Sequence, residues 1–413
     1  MIRLFVVADD FTGALDTGVQ LASFGAPTQV AAGQDLDALD LADTQVLVVD
    51  AETRHLPPAA AYETVFGLVR WAVARGVDCI YKKTDSALRG NIGAELAAAL
   101  TASGQQALHF VPAFPQMGRV TKNGVHYVDG VPVAESPLGA DPFEPVRDSR
   151  PAQIIRTQTD LPCRRAEDGG PQEGILVYDA QTNGDLAAIA ADLPSTEGPR
   201  VLAGCAGFAS MLPRMLRLRC EAPPPAAIGE RLLVACGSIN PVSLAQCEAA
   251  QDAGAPRFTL TRAQKLSPDW PRSAEAEILT DAVLAAAETH DLVVLDTGGA
   301  DSGEDAAQQE QNRVQVLTTL GSLLGRLFAR GVGSTVFIMG GDSLLGLMRQ
   351  LGVSVLCPLC EVAPGVVLSQ FCYQGRRWNL ISKSGSFGGK TLFWDVQKTL
   401  ARWQKELPQP AIS

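Results

Sequence analysis

Residues 2–14 read IRLFVVADDFTGA, an apolar run that ends in two carboxylates and leads into a helical pattern. A short β-rich run of this kind predicts a buried strand that delivers a polar loop to a helix. The same alternation continues through the first half, with strand-like runs at 46–49, 77–81 and 108–111 and helical patterns at 14–24, 59–75 and 92–103. It predicts an α/β fold with a largely parallel sheet, whose functional loops follow the carboxyl ends of the strands.

A second set of alternating elements begins after the proline-rich segment 221–229, which we interpret as a linker. Its strand-like runs are 232–236, 291–295 and 335–339, and its helical patterns lie near 242–253, 274–289 and 308–330. Because 413 residues are too many for one typical core, two domains are expected. We predict two α/β domains with largely parallel sheets, residues 1–222 and 230–413, and an active site in the interdomain cleft. An irregular excursion at 120–172 is predicted to contain a hairpin near 125–133.

The composition excludes several classes of protein. A formal net charge of -11 argues against a nucleic-acid or anionic-membrane surface. No apolar run approaches the roughly 18 residues that span a bilayer. The nine cysteines are scattered, and the CxxC spacing of Cys357 and Cys360 has no second pair nearby, so we interpret them as buried structural thiols. These features predict a cytoplasmic protein that binds small molecules.

The loop after the run 77–81 carries an unusual density of chemistry, reading KKTDSALRGN over residues 82–91. Arg89 can hold a carboxylate or a phosphate through two parallel hydrogen bonds. Asp85 and Ser86 can bond hydroxyl groups, and Gly90 allows close approach of the backbone. The pattern favours a site for an anionic, hydroxyl-rich small molecule. The alternative is a solvated loop in which Asp85 or Ser86 is an ordinary helix N-cap.

Other charged residues also follow predicted strands. Asp9 and Asp10 stand where the first strand becomes a helix, and Asp10 is the candidate base for a substrate hydroxyl. The alternative interpretation makes Asp10 a simple N-cap. Arg54 and Arg119 follow two further strands, where they could form an anion clamp together with Arg89 or remain surface arginines.

Glycine-containing turns mark the second half, at 237–238, 340–343 and 384–389, with a fourth and more polar one at 296–299. Backbone amides at such turns and at helix starts bind phosphate without side-chain charge. Alternatively, the glycines serve only the geometry of strand-to-helix turns. The sequence has no Walker-type GxxxxGK[ST], no GxGxxG after its first strand and no protein-kinase signature. Its four histidines have no metal-ligand spacing.

Taken together and in this order, the motifs resemble the four-carbon acid sugar kinase family almost from end to end. In the first half the resemblance rests on ADDFTGA (8–14), KTDSALRGNIG (83–93), PAFPQMGR (112–119) and Asp141-Pro142. In the second half it rests on Gly237-Ser238, on Gly340–Ser343 and on KSGSFG (383–388). Three positions depart from the family pattern: Ala87 and Ser343 replace threonines, and Ser386 replaces a glycine.

The resemblance implies ATP-dependent transfer of a phosphoryl group, with Mg²⁺, to the terminal hydroxyl of threonate, erythronate or a 3-oxo-tetronate. Asp10, Asp85 and Arg89 are then the catalytic candidates. The substrate-binding candidates are Arg54, Ser86, Gly90, Asn91 and Arg119. The nucleotide-binding candidates are Ser238, Gly340, Gly341, Asp342, Ser343 and Gly385. The metal ligands are unknown.

Alternatives to this function remain at the level of sequence. A two-domain sensor that kept both pockets but lost catalysis is disfavoured by the intact acidic loop and the three glycine turns. A dehydrogenase is disfavoured because the dinucleotide fingerprint is missing. The expected partners are a sugar acid and ATP, without nucleic acid or membrane. The oligomeric state stays open, with a homodimer as one option.

Overall fold

The computed structural model describes residues 1–33, 35–140, 145–193, 198–219, 228–299, 306–383 and 387–406. The chain divides into two compact units, Met1–Ala222 and Pro223–Ser413. Within the ranges given, no helix combines the length and the apolar character needed to cross a bilayer. Both units are α/β, as the alternation of elements predicts.

The first unit is built on a parallel sheet of eight strands in the order β2-β3-β1-β4-β11-β5-β10-β9. These strands are β1 (Leu4–Ala8), β2 (Thr28–Ala32), β3 (Val46–Asp50), β4 (Cys79–Lys83), β5 (Ala107–Val111), β9 (Cys163–Arg165), β10 (Gly174–Val177) and β11 (Arg200–Gly204). A separate antiparallel sheet of three strands contains β6 (Arg119–Lys122), β7 (Val125–Val128) and β8 (Val131–Pro132), close to the predicted hairpin.

The helices of the first unit are α1 (Phe11–Ser23), α2 (Pro58–Ala74), α3 (Ile92–Ser103), α4 (Pro151–Arg156), α5 (Asn183–Asp192), α6 (Ala206–Ala209) and α7 (Leu212–Met215). Local sequence explains their ends. Asp10, in an extended conformation, caps α1, and Gly104 ends α3 in the left-handed region with a φ of 71°. Thr182 and Asp185 form a reciprocal capping box at α5.

The second unit has strands β12 (Leu232–Cys236), β13 (Arg257–Thr259), β14 (Leu292–Asp296), β15 (Thr335–Met339), β16 (Val355–Ala363), β17 (Val366–Tyr373) and β18 (Arg376–Lys383). Its helices are α8 (Pro241–Asp252), α9 (Arg262–Leu266), α10 (Ala274–Thr289), α11 (Ala306–Ala329), α12 (Gly341–Leu351) and α13 (Leu392–Glu406). The strand order is β13-β14-β12-β15-β18-β17-β16. An antiparallel meander consists of β16, β17 and β18. The alternation of strands and helices in the sequence does not predict it.

The first four strands of the two units follow one plan. In each unit the first strand lies between the third and the fourth, giving β2-β3-β1-β4 and β13-β14-β12-β15. The chain leaves the first strand toward one edge of the sheet and then crosses to the other side. Ligands in open α/β sheets bind at such a topological switch point, beyond the carboxyl ends of the strands. Ligand sites are therefore expected in the crevices between β1 and β4 and between β12 and β15.

A fully buried ion pair joins the sheet of the first unit to helix α3. Lys82 is 0% and Glu95 1% exposed, with 2.8 Å between Nζ and Oε2. Lys82 also donates a hydrogen bond to the carbonyl oxygen of Lys83. Burial raises the pKa of the Glu95 carboxyl despite the field of Lys82.

We predict that Lys82→Met lowers the free energy of unfolding by about 3–5 kcal/mol, because it leaves the Glu95 carboxyl buried without its counter-charge. The double variant Lys82→Met/Glu95→Met should recover most of this loss, since no charge is then stranded. Urea unfolding measures both. Lys122→Met, at an exposed position of β6, is the matched control. Wild-type stability of the single variant would contradict the prediction.

Candidate active site

The carboxyl ends of three neighbouring strands gather the predicted polar residues of the first unit. In the register of the parallel sheet, Ala8 of β1 is level with Asp50 of β3 and with Lys83 of β4. The loops that follow these strands therefore start side by side. This places the residues after β1, β3 and β4 around the first switch point.

Arg54 is the centre of this cluster. Its Nε and Nη2 atoms lie 2.8 and 2.7 Å from Oδ2 of Asp9, and its Nη1 lies 2.6 Å from Oδ2 of Asp10. A third carboxylate, that of Asp85, is 3.8 Å from Nη2. Burial opposes the charge of Arg54, but the three carboxylates raise its pKa further above the ordinary value. The guanidinium thus joins the loops after all three strands.

Asp9, which sequence reasoning did not assign to the site, is the most deeply buried of these carboxylates, at 2% exposure. Burial alone would raise its pKa, but the fields of Arg54, Lys83 and Lys82 outweigh this effect and lower the pKa. Asp50 behaves in the opposite way. Burial raises the pKa of the Asp50 carboxyl well above its usual range, with one hydrogen bond from the Glu52 amide against it. The strand-terminal position of both residues was the available signal.

Asp10 is the N-cap of α1, as the alternative interpretation of the sequence expects, and it also binds Arg54. Its Oδ1 accepts a hydrogen bond of 2.8 Å from the Gly13 amide and so caps α1, while Oδ2 binds Arg54. Its side chain is 27% exposed, compared with 2% for Asp9. Asp10 is therefore the carboxylate of the Arg54 cluster that both is held in place and reaches the surface.

Asp85 and Arg89 form a bidentate pair, with both Nε–Oδ2 and Nη2–Oδ1 distances at 3.0 Å. Oδ2 of Asp85 also accepts hydrogen bonds from the amides of Ala87 and Arg89. Burial opposes its ionisation, but the charges of Arg89 and Arg54 dominate and hold the pKa of Asp85 far below its usual range. The turn is conformationally demanding, since Leu88 has a φ of 66°. The ionised Asp85 carboxylate therefore holds this turn in place through these hydrogen bonds.

The antiparallel hairpin holds the loop that contains Ser86 through a residue of β7. His126 of β7 is buried, and its Nε2 lies 2.9 Å from the carbonyl oxygen of Ser86, while its Nδ1 lies 2.9 Å from Oγ1 of Thr121. A neutral ring that donates from Nε2 and accepts at Nδ1 satisfies both contacts. Burial lowers the pKa of His126 to about 4, which keeps the ring neutral. This contact could not be predicted from the sequence, because His126 lies 40 residues further along the chain than Ser86.

The remaining substrate-binding candidates occupy different places. Nδ2 of Asn91 donates to the carbonyl oxygens of Thr53 and Leu56, both at 2.8 Å, and so fixes the loop after β3. Gly90 has a φ of 85° and packs against Arg54. Arg119 binds the carbonyl of Met117 and lies 3.8 Å from Asp129 in its own hairpin. Within the described ranges, no hydrogen bond or ion pair connects Arg119 to the Arg54 cluster.

A cavity of about 440 Å³ opens beside this cluster. Its walls come from the loop after β3, the 88–91 turn, residues 145–148 and helix α4. Arg54, Arg89, Gly90 and Asn91, all candidates from the sequence, line it together with the exposed Arg147. The volume accommodates a small hydroxy acid.

The switch point of the second unit lies between two glycine turns. A Cβ atom on Gly237, just after β12, would collide with Oγ of Ser343 in the first turn of α12. Gly340, just after β15, has a φ of 106° and donates its amide to the carbonyl of Lys383. Gly340 is also the N-cap of α12 and offers no side-chain cap, so the first amides of this 11-residue helix are available to an anion.

The other nucleotide-binding candidates surround these turns. Ser238 packs beside Gly340, and its hydroxyl accepts a hydrogen bond from the Asn240 amide. Gly341 begins α12, while the exposed Asp342 forms an ion pair of 2.7 Å with Arg313. Gly385, like the motif residues Ser386, Asp141 and Pro142, lies outside the described residues.

Two buried lysines at this edge were missed from the sequence. Lys383, at the end of β18, places Nζ 3.0 Å from the carbonyl of Phe387, and burial lowers its pKa to about 8. Lys265 donates to the carbonyls of Thr297 and Gly299, which braces the turn after β14. Lys383 begins the motif KSGSFG but was not among the predicted site residues, whereas Lys265 lies outside the glycine-containing turns.

Comparisons with known proteins support the family resemblance of the sequence motifs. A family model described as "Sugar-binding N-terminal domain" matches residues 4–212, and one described as "Nucleotide-binding C-terminal domain" matches residues 233–393. The chain belongs to the four-carbon acid sugar kinase family, which confirms the resemblance of its motifs.

Individual relatives cover nearly the whole chain. A D-threonate kinase of Salmonella typhimurium is 30% identical over 96% of this chain and 97% of its own length. A 3-oxo-tetronate kinase of Pseudomonas fluorescens is 28% identical over 96% and 97%. A solved Salmonella typhimurium structure, provisionally named a tRNA synthase, superposes with a TM-score of 0.79 at 24% identity, covering 96% of this chain and 99% of that one. At this identity the superposition supports the fold alone.

The neutral state of His126 yields a prediction about pH. Because its pKa is about 4 in the folded protein and roughly 6.5 when unfolded, its contribution to stability is complete above pH 6.5 and is lost as the pH falls toward 4. We predict that His126→Gln, which removes this titration, flattens the fall in stability over that window by about 2–3 kcal/mol. Urea unfolding between pH 7.5 and 4.5 measures it. The exposed His290→Gln is the control, and an unchanged slope in His126→Gln would refute the prediction.

Proposed function

We propose that this protein is an ATP-dependent kinase that phosphorylates the terminal hydroxyl of a four-carbon sugar acid. The observation that carries the proposal is the Asp10 carboxylate, partly exposed at the switch point and fixed by Arg54. The names of the relatives, D-threonate kinase and 3-oxo-tetronate kinase, support the same class of substrate. The proposed acceptors are threonate, erythronate and 3-oxo-tetronate.

Recognition of the acid is proposed to fall to the 86–91 turn and the cavity beside it. The Arg89 side chain is 30% exposed, so its guanidinium can contact a substrate carboxylate while it remains paired with Asp85. Ser86 is half-buried and can bond a substrate hydroxyl. Arg147 adds an exposed positive charge to the cavity wall. Arg54 then acts by holding the three carboxylates rather than by binding the acid directly.

Proton transfer is proposed to use Asp10. Both oxygens of Asp85 are occupied by Arg89 and backbone amides, which makes Asp85 a very weak base. Asp10 has fewer donors and greater exposure. Phosphoryl transfer depends mainly on positioning and charge stabilisation, so a carboxylate that orients the hydroxyl is sufficient.

Binding of the nucleotide is proposed at the second switch point. The contact that excludes a side chain at Gly237, the positive φ of Gly340 and the uncapped start of α12 together form a cradle of backbone amides. The hydroxyl of Ser238 and the amides of Gly341 and Ser343 would hold phosphates there, with Gly340 shaping the turn, and ATP would supply the phosphoryl group. Within the described residues, no group of three or more His, Cys, Asp or Glu side chains could hold a metal ion. If Mg²⁺ enters together with ATP, phosphate oxygens and water would supply most of its ligands.

Three further expectations from the sequence stay predictions: a reaction in a cleft between the domains, a cytoplasmic location and a homodimer. Arg119 also stays a prediction as a substrate ligand, and its contacts in the structure are with the carbonyl of Met117 and the carboxylate of Asp129.

The test of the function is a coupled ADP-release assay over a panel of four-carbon acids, which includes D-threonate, D-erythronate and 3-oxo-tetronates. We expect the wild-type protein to turn over at least one acid. Asp10→Asn should lower kcat by roughly 10²–10⁴-fold while ATP binding is retained, because general-base catalysis contributes on this order. Wild-type turnover in Asp10→Asn would exclude Asp10 as the base. Binding of ATP and acid without turnover by the wild type would favour the sensor.

The proposed nucleotide site predicts the effect of adding one methyl group at Gly237. Gly237→Ala would push its Cβ into Ser343, so we expect ATP affinity to fall at least 10-fold, which corresponds to about 1.4 kcal/mol. Gly333→Ala, where no heavy atom lies within 4 Å of the new Cβ, is the matched control. Calorimetric titration of both variants with ATP measures the effect. Equal affinities would place the nucleotide elsewhere.

A further inference from the structure

Two adjacent lysines at the end of β4 have different surroundings. Successive side chains of a strand point to opposite faces of the sheet. Lys82 therefore points toward α3, where it pairs with Glu95, and Lys83 points toward the start of α1. Only Lys82 has an obvious structural purpose.

Lys83 is buried along its stem, with a side chain 6% exposed, yet its ammonium group lacks close acceptors. The nearest carboxylate oxygen, Oδ1 of Asp9, is 3.9 Å from Nζ. Among the described residues, no acceptor forms a hydrogen bond with this ammonium group. An ammonium group has three donors, and leaving them unsatisfied in a buried place is costly. A group of this kind is typical of a site that receives an anion.

The position of the ammonium group is fixed relative to Asp10. A Cβ on Gly13 would lie 2.5 Å from Nζ of Lys83 and 2.6 Å from Oδ1 of Asp10. Both atoms thus rest against the same side of Gly13, in the first turn of α1. The positive end of this 13-residue helix adds to the charge of Lys83. An anion that contacts Lys83 would therefore lie beside the carboxylate proposed to orient the acceptor hydroxyl.

The other cations of the cluster are already engaged. Arg54 makes close hydrogen bonds with Asp9 and Asp10, and Arg89 makes a bidentate pair with Asp85. Lys83 differs from both because its single ion pair is long. Its charge is consequently the one most available to a group that arrives only during the reaction.

We propose that Lys83 is a further catalytic residue, whose ammonium group contacts the phosphoryl group while it is transferred. This inference rests on the proposed kinase function. In the step, the acceptor oxygen forms a bond to the γ-phosphorus, the bond from that phosphorus to the β,γ-bridging oxygen breaks, and the hydroxyl proton passes to Asp10. Lys83 keeps its own protons throughout. It stabilises charge on the equatorial oxygens, where catalysis of phosphoryl transfer is concentrated.

The test compares Lys83→Met with wild type and with Lys122→Met, which removes an exposed lysine from β6. The acid that the wild type uses best and ATP are titrated by calorimetry, and kcat is measured separately. We expect Lys83→Met to lower kcat roughly 10²–10³-fold, the range for loss of one preorganised charge-stabilising donor, with both Kd values within threefold of wild type. Lys122→Met should match wild type. Circular dichroism checks folding, and Lys83→Gln replaces Lys83→Met if that variant is unfolded.

The outcomes separate the inference from the proposed function. An active wild type with undiminished kcat in Lys83→Met would overturn the role of Lys83 and leave the kinase intact. A Kd for the acid raised more than 10-fold with kcat retained would assign Lys83 to the substrate carboxylate and also overturn the inference. A wild type without turnover on any acid would overturn the proposed function and the inference together.

Discussion

The sharing of one guanidinium among three carboxylates is the constraint on which the first unit depends. Arg54 binds Asp9 and Asp10 after β1 and approaches Asp85 after β4, while it belongs itself to the loop after β3. Burying any of these charges alone would be costly, so each loop holds its position because the others do. Asn91 adds a second link, by tying the start of α3 to the loop after β3. These contacts join the three loops into one polar surface that presents Asp10, Ser86 and Arg89.

The two units share the order of their first four strands but line their crevices with different chemical groups. Both use the order in which the first strand lies between the third and the fourth, and both present their polar loops where the chain changes direction. In the first unit the crevice is lined by side chains that carry formal charge. In the second it is lined by backbone amides around Gly237 and Gly340. A sugar acid needs directional recognition of hydroxyl and carboxylate groups, whereas phosphates are bound well by amides, so the division agrees with the proposed ligands.

Much of this could be predicted from the sequence, because charged residues directly after apolar runs point to the carboxyl edge of a parallel sheet. Asp10, Arg54, Asp85 and Arg89 were found in this way, and the structure brings them together. The strand order could not be predicted, since periodicity carries no information on which strands are neighbours. The meander β16–β18 was missed because its strands, of eight and nine residues, mix buried with half-buried and exposed positions and join directly without the helices that separate the other strands.

Residues that act through tertiary contacts were also missed. His126 supports the Ser86 carbonyl from a hairpin far along the chain, and Glu95 pairs with Lys82 from inside an alanine-rich helix. Conversely, Arg119 was predicted beside Arg54, yet its guanidinium binds the carbonyl of Met117 in the turn just before it. Position after a strand thus predicts which edge a residue occupies but not which way its side chain points. Only packing decides the second question.

The mutual dependence of the Arg54 cluster also limits how this protein can diverge. Replacing one of the three aspartates would remove one partner of the buried Arg54 and weaken the link between two loops, so each such change is expected to lower the stability of the cluster. Positions at the margin of this cluster are freer, such as residues 145–148, which form the outer wall of the cavity. New specificities among relatives would then be expected to arise first at this periphery, while the charged centre is inherited as a block.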